Sequence, residues 1–291
     1  MSTTLAPNRR ETGPVRPDHT IDQNWAAYTP EEHGRWDRLY ARMTELLPGR
    51  ACAEFLAGLD RLTLSERGIP DMERLSDRLE RITGWRVVAV PGLVPDAVFF
   101  DHLANRRFPA GAFLRAEHEF DYIEEPDIFH DIFGHVPLLS HPPYADFVEA
   151  YGKGGHRALA MGALPALARL YWYTIEFGLI EETGALRLFG AGIMSSPKET
   201  VFALDDPSPN RIAFDLRRIM ATAYRIDDFQ QSYFVIDSFE SLLAATAEDF
   251  GPIYRAFPGQ SPHAPEAVLP ADTVIHRGTQ AYFRAKARPA P

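Results

Sequence analysis

Two histidines five residues apart inside an apolar run place the tightest restriction on how this chain folds. In EPDIFHDIFGHVP, residues 125–137, His130 and His135 stand among Phe129, Ile132 and Phe133, residue types that belong in a core. Imidazoles enter a core only with a partner. At about 100° per residue, positions i and i+5 of a regular α-helix point about 140° apart. Rings that meet at one point from such a spacing need a backbone that leaves regular helix. Gly134 permits a departure, and Pro137 stops a regular helix from running on unchanged, so the departure is expected at one or the other.

A second segment makes a related demand. Around Glu176 in LARLYWYTIEFGLI lie Leu170, Tyr171, Trp172, Tyr173, Ile175, Phe177, Leu179 and Ile180, which leave no polar face. A helix apolar all round is buried. An unpaired carboxylate there would cost on the order of tens of kcal/mol, so it must be paired, protonated or metal-bound. Arg169 is seven residues back, about 10 Å along a helix axis, and out of easy reach. The two histidines are therefore candidate partners. Two imidazoles and a carboxylate leave up to three positions of an octahedral metal open, which suits non-haem Fe(II). The same ligands serve catalytic zinc. Histidines that pack in a core through hydrogen bonds are the third reading. On these residues alone all three stay open.

The rest of the chain bounds the setting. Its 291 residues, 45% hydrophobic, suffice for a substantial core. A net charge of −10, from 40 acidic and 30 basic residues, argues against nucleic-acid or anionic-membrane partners. No apolar run reaches membrane-spanning length, no signal-peptide core opens the chain, and Cys52 is the single cysteine. These features predict a soluble cytoplasmic protein.

Residues 1–23 read as a flexible tail, 24–257 as one domain and 258–291 as a loose arm broken by Pro258, Pro262, Pro265 and Pro270. Helices are expected in YTPEEHGRWDRLYARMTELL, with a Thr29–Glu32 capping box, and in IPDMERLSDRLERITG, with Gly84 at its end. Further helices are expected in PDAVFFDHLANRR, PPYADFVEAYG, GALPALARLYWYTIEFGLI, SSPKETVFAL (with a Ser196–Glu199 box), FDLRRIMATAYR and FESLLAATAEDFGPIYRAF. WRVVAVPG, ALRLFGAGI and SYFVID read as strands.

Three stretches, EPDIFHDIFGHVPLL, YWYTIEFGL and FGAGIMSS, resemble the pterin-dependent aromatic amino acid hydroxylases in order and spacing, over about residues 24–257. The resemblance implies a mainly α (α+β) catalytic domain, a basket of helices with a few short strands around a non-haem iron site. It implies His130, His135 and Glu176 as the iron ligands. It further implies Arg115, Trp172 and Ser195 at the substrate, and Gly92, Leu93, Phe99, Asp131 and Tyr171 at the pterin. Read without it, Arg115 is a surface arginine, Phe99 a core aromatic and Ser195 a hydroxyl at a helix start.

The activity implied is hydroxylation of L-phenylalanine to L-tyrosine by Fe(II), tetrahydrobiopterin or a related tetrahydropterin, and O2, as in phenylalanine catabolism. Trp172 favours phenylalanine over tryptophan, with tryptophan or tyrosine hydroxylase as the alternative inside the family. A zinc hydrolase or a non-enzymatic metal-binding protein is the alternative outside it. Short flanks without a heptad predict a monomer with no subunit coupling.

Overall fold

The computed structural model describes residues 13–121, 123, 125–257 and 260–287. It is mainly helical with a few short strands, the expected class. Its backbone gathers into two compact units, residues 1–46 with 53–153, and residues 47–52 with 154–291.

In the first unit, α1 (Pro30–Leu46) starts where the capping box places it. The Glu32 carboxylate accepts from Thr29 N at 2.8 Å, and Glu32 N donates back to Thr29 Oγ1 at 3.2 Å. Trp36, Leu39 and Met43 form its buried stripe. After α2 (Ala53–Arg61), α3 (Met72–Thr83) is capped by Asp71, whose side chain accepts from Glu73 N, and ends at Gly84 with φ +77°. β1 (Arg86–Val90), α4 (Asp96–Ala104) and β2 (Arg107–Gly111) form one crossover unit. The strands pair in parallel, Arg86 opposite Arg107 and Val90 opposite Gly111, a pairing that requires an intervening element such as α4. A π-helix covers Phe129–His135, followed by α5 (Val136–Leu139) and α6 (Pro142–Ala160), of which residues 154–160 belong to the second unit. Gly58 lets α2 approach α5, because a Cβ there would collide with the Pro137 carbonyl.

The second unit carries α7 (Leu164–Tyr171), a π-turn (Trp172–Glu176), β3 (Leu179–Glu182) and β4 (Ala185–Leu188). Then come α8 (Ala191–Met194), α9 (Pro197–Asp205), β5 (Asn210–Ala213), α10 (Leu216–Met220) and β6 (Ser232–Ile236). α11 (Phe239–Ala245), α12 (Phe250–Ala256), β7 (Val274–His276) and α13 (Ala281–Lys286) complete it. The mixed sheet has the order β4-β3-β6-β5-β7. Thr183 and Gly184, both at positive φ, turn the β3–β4 hairpin as a two-residue connection of the primed kind.

Several expectations need correction. Of the expected flexible tail, residues 13–23 are described, and their last part is packed. Ile21 is buried and donates its N–H to Ala89 O, while Asp18 O meets His102 Nε2 at 2.9 Å. The expected loose arm holds β7 and α13, with Phe283 buried and Arg218 paired to Asp272 at 2.8 Å. No helix includes Pro262, Pro265 or Pro270, yet these prolines do not prevent strand pairing or side-chain docking; Pro258 lies outside the described residues. The Ser196–Glu199 box does not form, because Glu199 turns inward. FDLRRIMATAYR is helical only over α10, FESLLAATAEDFGPIYRAF splits into α11 and α12, and ALRLFGAGI passes from β4 into α8.

Candidate metal centre

The departure from regular helix is a π-helix that spans Phe129–His135, rather than a kink at one residue. In a π-helix the hydrogen bond runs from i to i+5, so residues five apart stand one turn apart, as residues four apart do in an α-helix. That resolves the spacing. The Nε2 atoms of His130 and His135 lie 3.1 Å apart, with ring centroids 4.9 Å apart. Phe129 and Phe133, on the other side of the turn, stack at 4.8 Å with an interplanar angle of 10°. Trp36 meets Phe129 edge-on, and Phe55 meets Phe133 edge-on. The apolar face is thus locked into the core while the two imidazoles project together.

This geometry fits a metal. At metal–nitrogen bonds of about 2.1 Å, ligands at a right angle stand about 3.0 Å apart, and tetrahedral ones about 3.4 Å. The observed 3.1 Å is nearer the octahedral value. One N–H···N hydrogen bond between neutral rings also spans such a gap. The Asp131 carboxylate lies in the same cluster, all three ligand atoms within 4.8 Å of one another. Its Oδ2 accepts from Gly111 N at 2.7 Å, which ties the turn to the end of β2.

Asp127, absent from the sequence reading as a site residue, organises this region. It is fully buried, and its carboxylate accepts from Arg115 N (2.8 Å), Arg115 Nε (2.9 Å), Arg115 Nη2 (2.7 Å) and His130 N (3.0 Å). Burial pushes its pKa up, but the Arg115 guanidinium and the two backbone donors outweigh that and hold it below the ordinary 3.8. Its position three residues before His130, where an N-cap side chain would reach the backbone, was the available signal. Arg115 is buried at 3% exposure rather than on the surface, as its reading without the resemblance had it. Its Nη1 makes no hydrogen bond among the described residues. Gly92 is buried at φ +157°, Leu93 is 78% exposed with its N–H 3.4 Å from Glu125 Oε1, and Phe99 is half-buried on α4, edge-on to Phe100.

Glu176 ends the π-turn of the second unit, where Phe177 N donates to Trp172 O across five residues. It is half-buried, which corrects the expectation of a helix buried all round. Tyr173, Thr174 and Ile175 face the core, while Tyr171, Trp172, Glu176 and Phe177 are half-exposed. FGAGIMSS supplies the floor beneath the carboxylate. A Cβ on Gly190 would collide with the Glu176 carbonyl, and one on Gly192 would stand 3.1 Å from Glu176 Oε2 and 2.9 Å from Phe177 Cζ. A side chain at Gly190 would meet backbone, and one at Gly192 would crowd the carboxylate itself. Trp172 stacks on Tyr224 at 4.3 Å and donates its indole N–H to Gln230 Oε1 at 2.9 Å. Ser195 is buried, its hydroxyl donating to Ala191 O at 2.9 Å.

Residues 19–257 match the family model of the biopterin-dependent aromatic amino acid hydroxylases, a span that runs through both units and makes them parts of one catalytic domain. The phenylalanine-4-hydroxylase of Caulobacter vibrioides is 61% identical over 274 residues, 94% of this chain and 93% of that protein. That of Ralstonia nicotianae is 56% identical over 91% of this chain and 85% of its own length. A crystal structure of phenylalanine hydroxylase from Chromobacterium violaceum bound to cobalt superposes with a TM-score of 0.87 at 55% identity, covering 89% of this chain and 93% of that one. With paired imidazoles on a π-turn and a match over most of its length, this chain belongs to the biopterin-dependent aromatic amino acid hydroxylases.

Proposed function

We propose that this chain is a phenylalanine 4-monooxygenase, converting L-phenylalanine to L-tyrosine with Fe(II), a tetrahydropterin such as tetrahydrobiopterin, and dioxygen. The observation that carries the reading is the pair of Nε2 atoms 3.1 Å apart on the π-turn, in a chain so close to curated phenylalanine-4-hydroxylases. Together the iron and the reduced pterin supply the activation of dioxygen. No side chain is needed as a nucleophile; the protein binds, orients and keeps water out.

The iron is assigned to His130, His135 and Glu176. The π-turn holds the imidazoles together, and Gly192 leaves room for the carboxylate. Arg115 is assigned to the substrate α-carboxylate. Asp127 fixes the Nε–Nη2 edge of the guanidinium, which leaves the Nη1 side for a second carboxylate. Trp172 is assigned to the wall against the phenyl ring and Ser195 to the same pocket. Phe99 is assigned to stacking on the pterin, with Gly92, Leu93, Asp131 and Tyr171 beside it.

We further infer a monomer acting in the cytoplasm. No described helix is long and apolar enough to cross a membrane, and α13 has six residues, too few for a coiled-coil seam. The test of the function is turnover of Fe(II)-loaded protein with each of the three aromatic amino acids. Tyrosine formed from phenylalanine, only with tetrahydropterin and oxygen present, is the expected result. Equal activity of the zinc-loaded protein without pterin would overturn it.

A further inference from the structure

Glu199 is a buried carboxyl that the reaction above does not use. It lies on α9 at 7% exposure. One of its oxygens, Oε1, accepts from Tyr233 Oη on β6 at 2.7 Å and from Gln230 N at 3.3 Å. Gln230 is buried as well, and the orientation of its amide is unambiguous. Nε2 faces two carbonyls, Arg225 O at 2.9 Å and Asp228 O at 3.4 Å, which only accept. Oε1 therefore faces the indole N–H of Trp172, which only donates. A continuous line of hydrogen bonds thus runs from Glu199 through the Gln230 backbone and side chain to Trp172. Stacking on Tyr224 fixes the plane of that indole but not its position within the plane, and the Gln230 bond supplies the missing restraint.

We propose that Glu199 is a positioning residue for the aromatic wall: it holds Gln230, and Gln230 holds the Trp172 indole in register for the substrate ring. The last clause rests on the assignment of Trp172 to the substrate pocket; the first two do not. The hold depends on charge, since an ionised carboxylate is the stronger acceptor. Burial raises the pKa of Glu199 to about 7, against which the Tyr233 and Gln230 bonds act, while the Asp228 carboxylate adds to the rise. The other charged groups nearby act at one remove. Lys286 on α13 pairs with Asp228 at 2.9 Å, and the Arg211 guanidinium on β5 acts on Tyr233. The indole should therefore sit firmly above neutral pH and loosen below it.

The test follows the Trp172 indole N–H resonance in the full-length protein loaded with zinc, a diamagnetic ion that avoids broadening by iron. Trp172→Phe identifies the signal. In the wild type it should shift with a midpoint near pH 7, and in Glu199→Gln the shift should be lost. Tyr233→Phe removes a donor that favours the charged form, so it should move the midpoint upward. In the iron-loaded enzyme, Glu199→Gln should raise the phenylalanine KM at pH 8 by about 5-fold, the scale of one hydrogen bond, with kcat nearly unchanged. A shift that persists in Glu199→Gln, or a midpoint that Tyr233→Phe leaves in place, overturns the positioning role. A resonance that behaves as expected with an unchanged KM upholds the positioning and overturns the assignment of Trp172 to the substrate.

Discussion

Replacing Asp127 by asparagine tests whether one buried ion pair supports both the imidazole pair and Arg115, the arginine proposed for the substrate carboxylate. The carboxylate accepts four hydrogen bonds, two at each oxygen. An amide keeps two of these and turns an NH2 group toward donors, so the other two are lost and the Arg115 charge stays buried without its counterion. Removing one member of a buried pair costs about 3–5 kcal/mol. For a domain of this size that corresponds to a fall in Tm of roughly 6–15 °C. The double variant Asp127→Asn/Arg115→Gln removes the orphaned charge and should recover part of the loss. The pH dependence has a definite sign. The folded pKa of Asp127 lies below 3.8, so its contribution is complete above the unfolded value and is lost as pH falls through the lower folded one. The difference between wild type and variant should accordingly be full at pH 7 and shrink in acid below about pH 4. Calorimetry at both pH values measures it, and phenylalanine kinetics at pH 7 should show a raised KM. A Tm within 2 °C of wild type together with an unchanged KM would refute the reasoning.

Four other outcomes are expected. Iron analysis after anaerobic loading should find Glu176→Ala unable to retain stoichiometric Fe(II) while Asp131→Asn retains it; the reverse pattern would transfer the third ligand to Asp131. Gly190→Ala should unfold at markedly lower temperature because its Cβ meets backbone, whereas Gly192→Ala should remain folded and lose iron affinity, its Cβ 3.1 Å from the Glu176 carboxylate. Arg115→Lys should raise the phenylalanine KM and leave the pterin KM alone, and Phe99→Ala should do the opposite. Burial raises the Glu199 pKa from 4.5 to about 7, so its favourable contribution is complete below 4.5 and is lost as pH rises through 7. Glu199→Gln should therefore melt above wild type at pH 9, by up to about 3 kcal/mol, and no higher than wild type at pH 5.

Local rules in the sequence accounted for much of the fold. The Thr29–Glu32 box and Gly84 mark helix ends because each depends on a few neighbouring atoms. The histidine spacing required an irregular helix, and the π-turn is that irregularity. Its extent was not legible, since stacking of Phe129 on Phe133 and docking against Trp36 select it, and both need tertiary partners. The reading of Glu176 as deeply buried failed for a related reason. Apolar residues on every face show that water is excluded somewhere, but not which faces, and Tyr171, Trp172, Glu176 and Phe177 remain half-exposed. Glu199 shows the opposite failure. A capping-box pattern is a local competition, and Tyr233, distant in sequence, won the carboxylate. Asp127 carries no local mark of its ion pair, because its partner Arg115 lies across a loop.

The short strand β7 has a meaning for how this protein would come apart. It lies on the outer side of β5, pairing Arg211 with His276 and Ile212 with Val274. Only three residues long, it offers a poor template for another chain. β5 beneath it is different: Asn210, Arg211 and Ile212 are buried, and β5 pairs with β6 along its whole length. A nick near Pro262 that released the C-terminal segment would convert that inner strand into an open border with unpaired backbone groups. The Arg218–Asp272 pair and the docked Phe283 fasten the cover in place. The segment whose sequence reads as a loose arm would then act as a guard against self-association, and its loss would show as precipitation before it showed as lost catalysis.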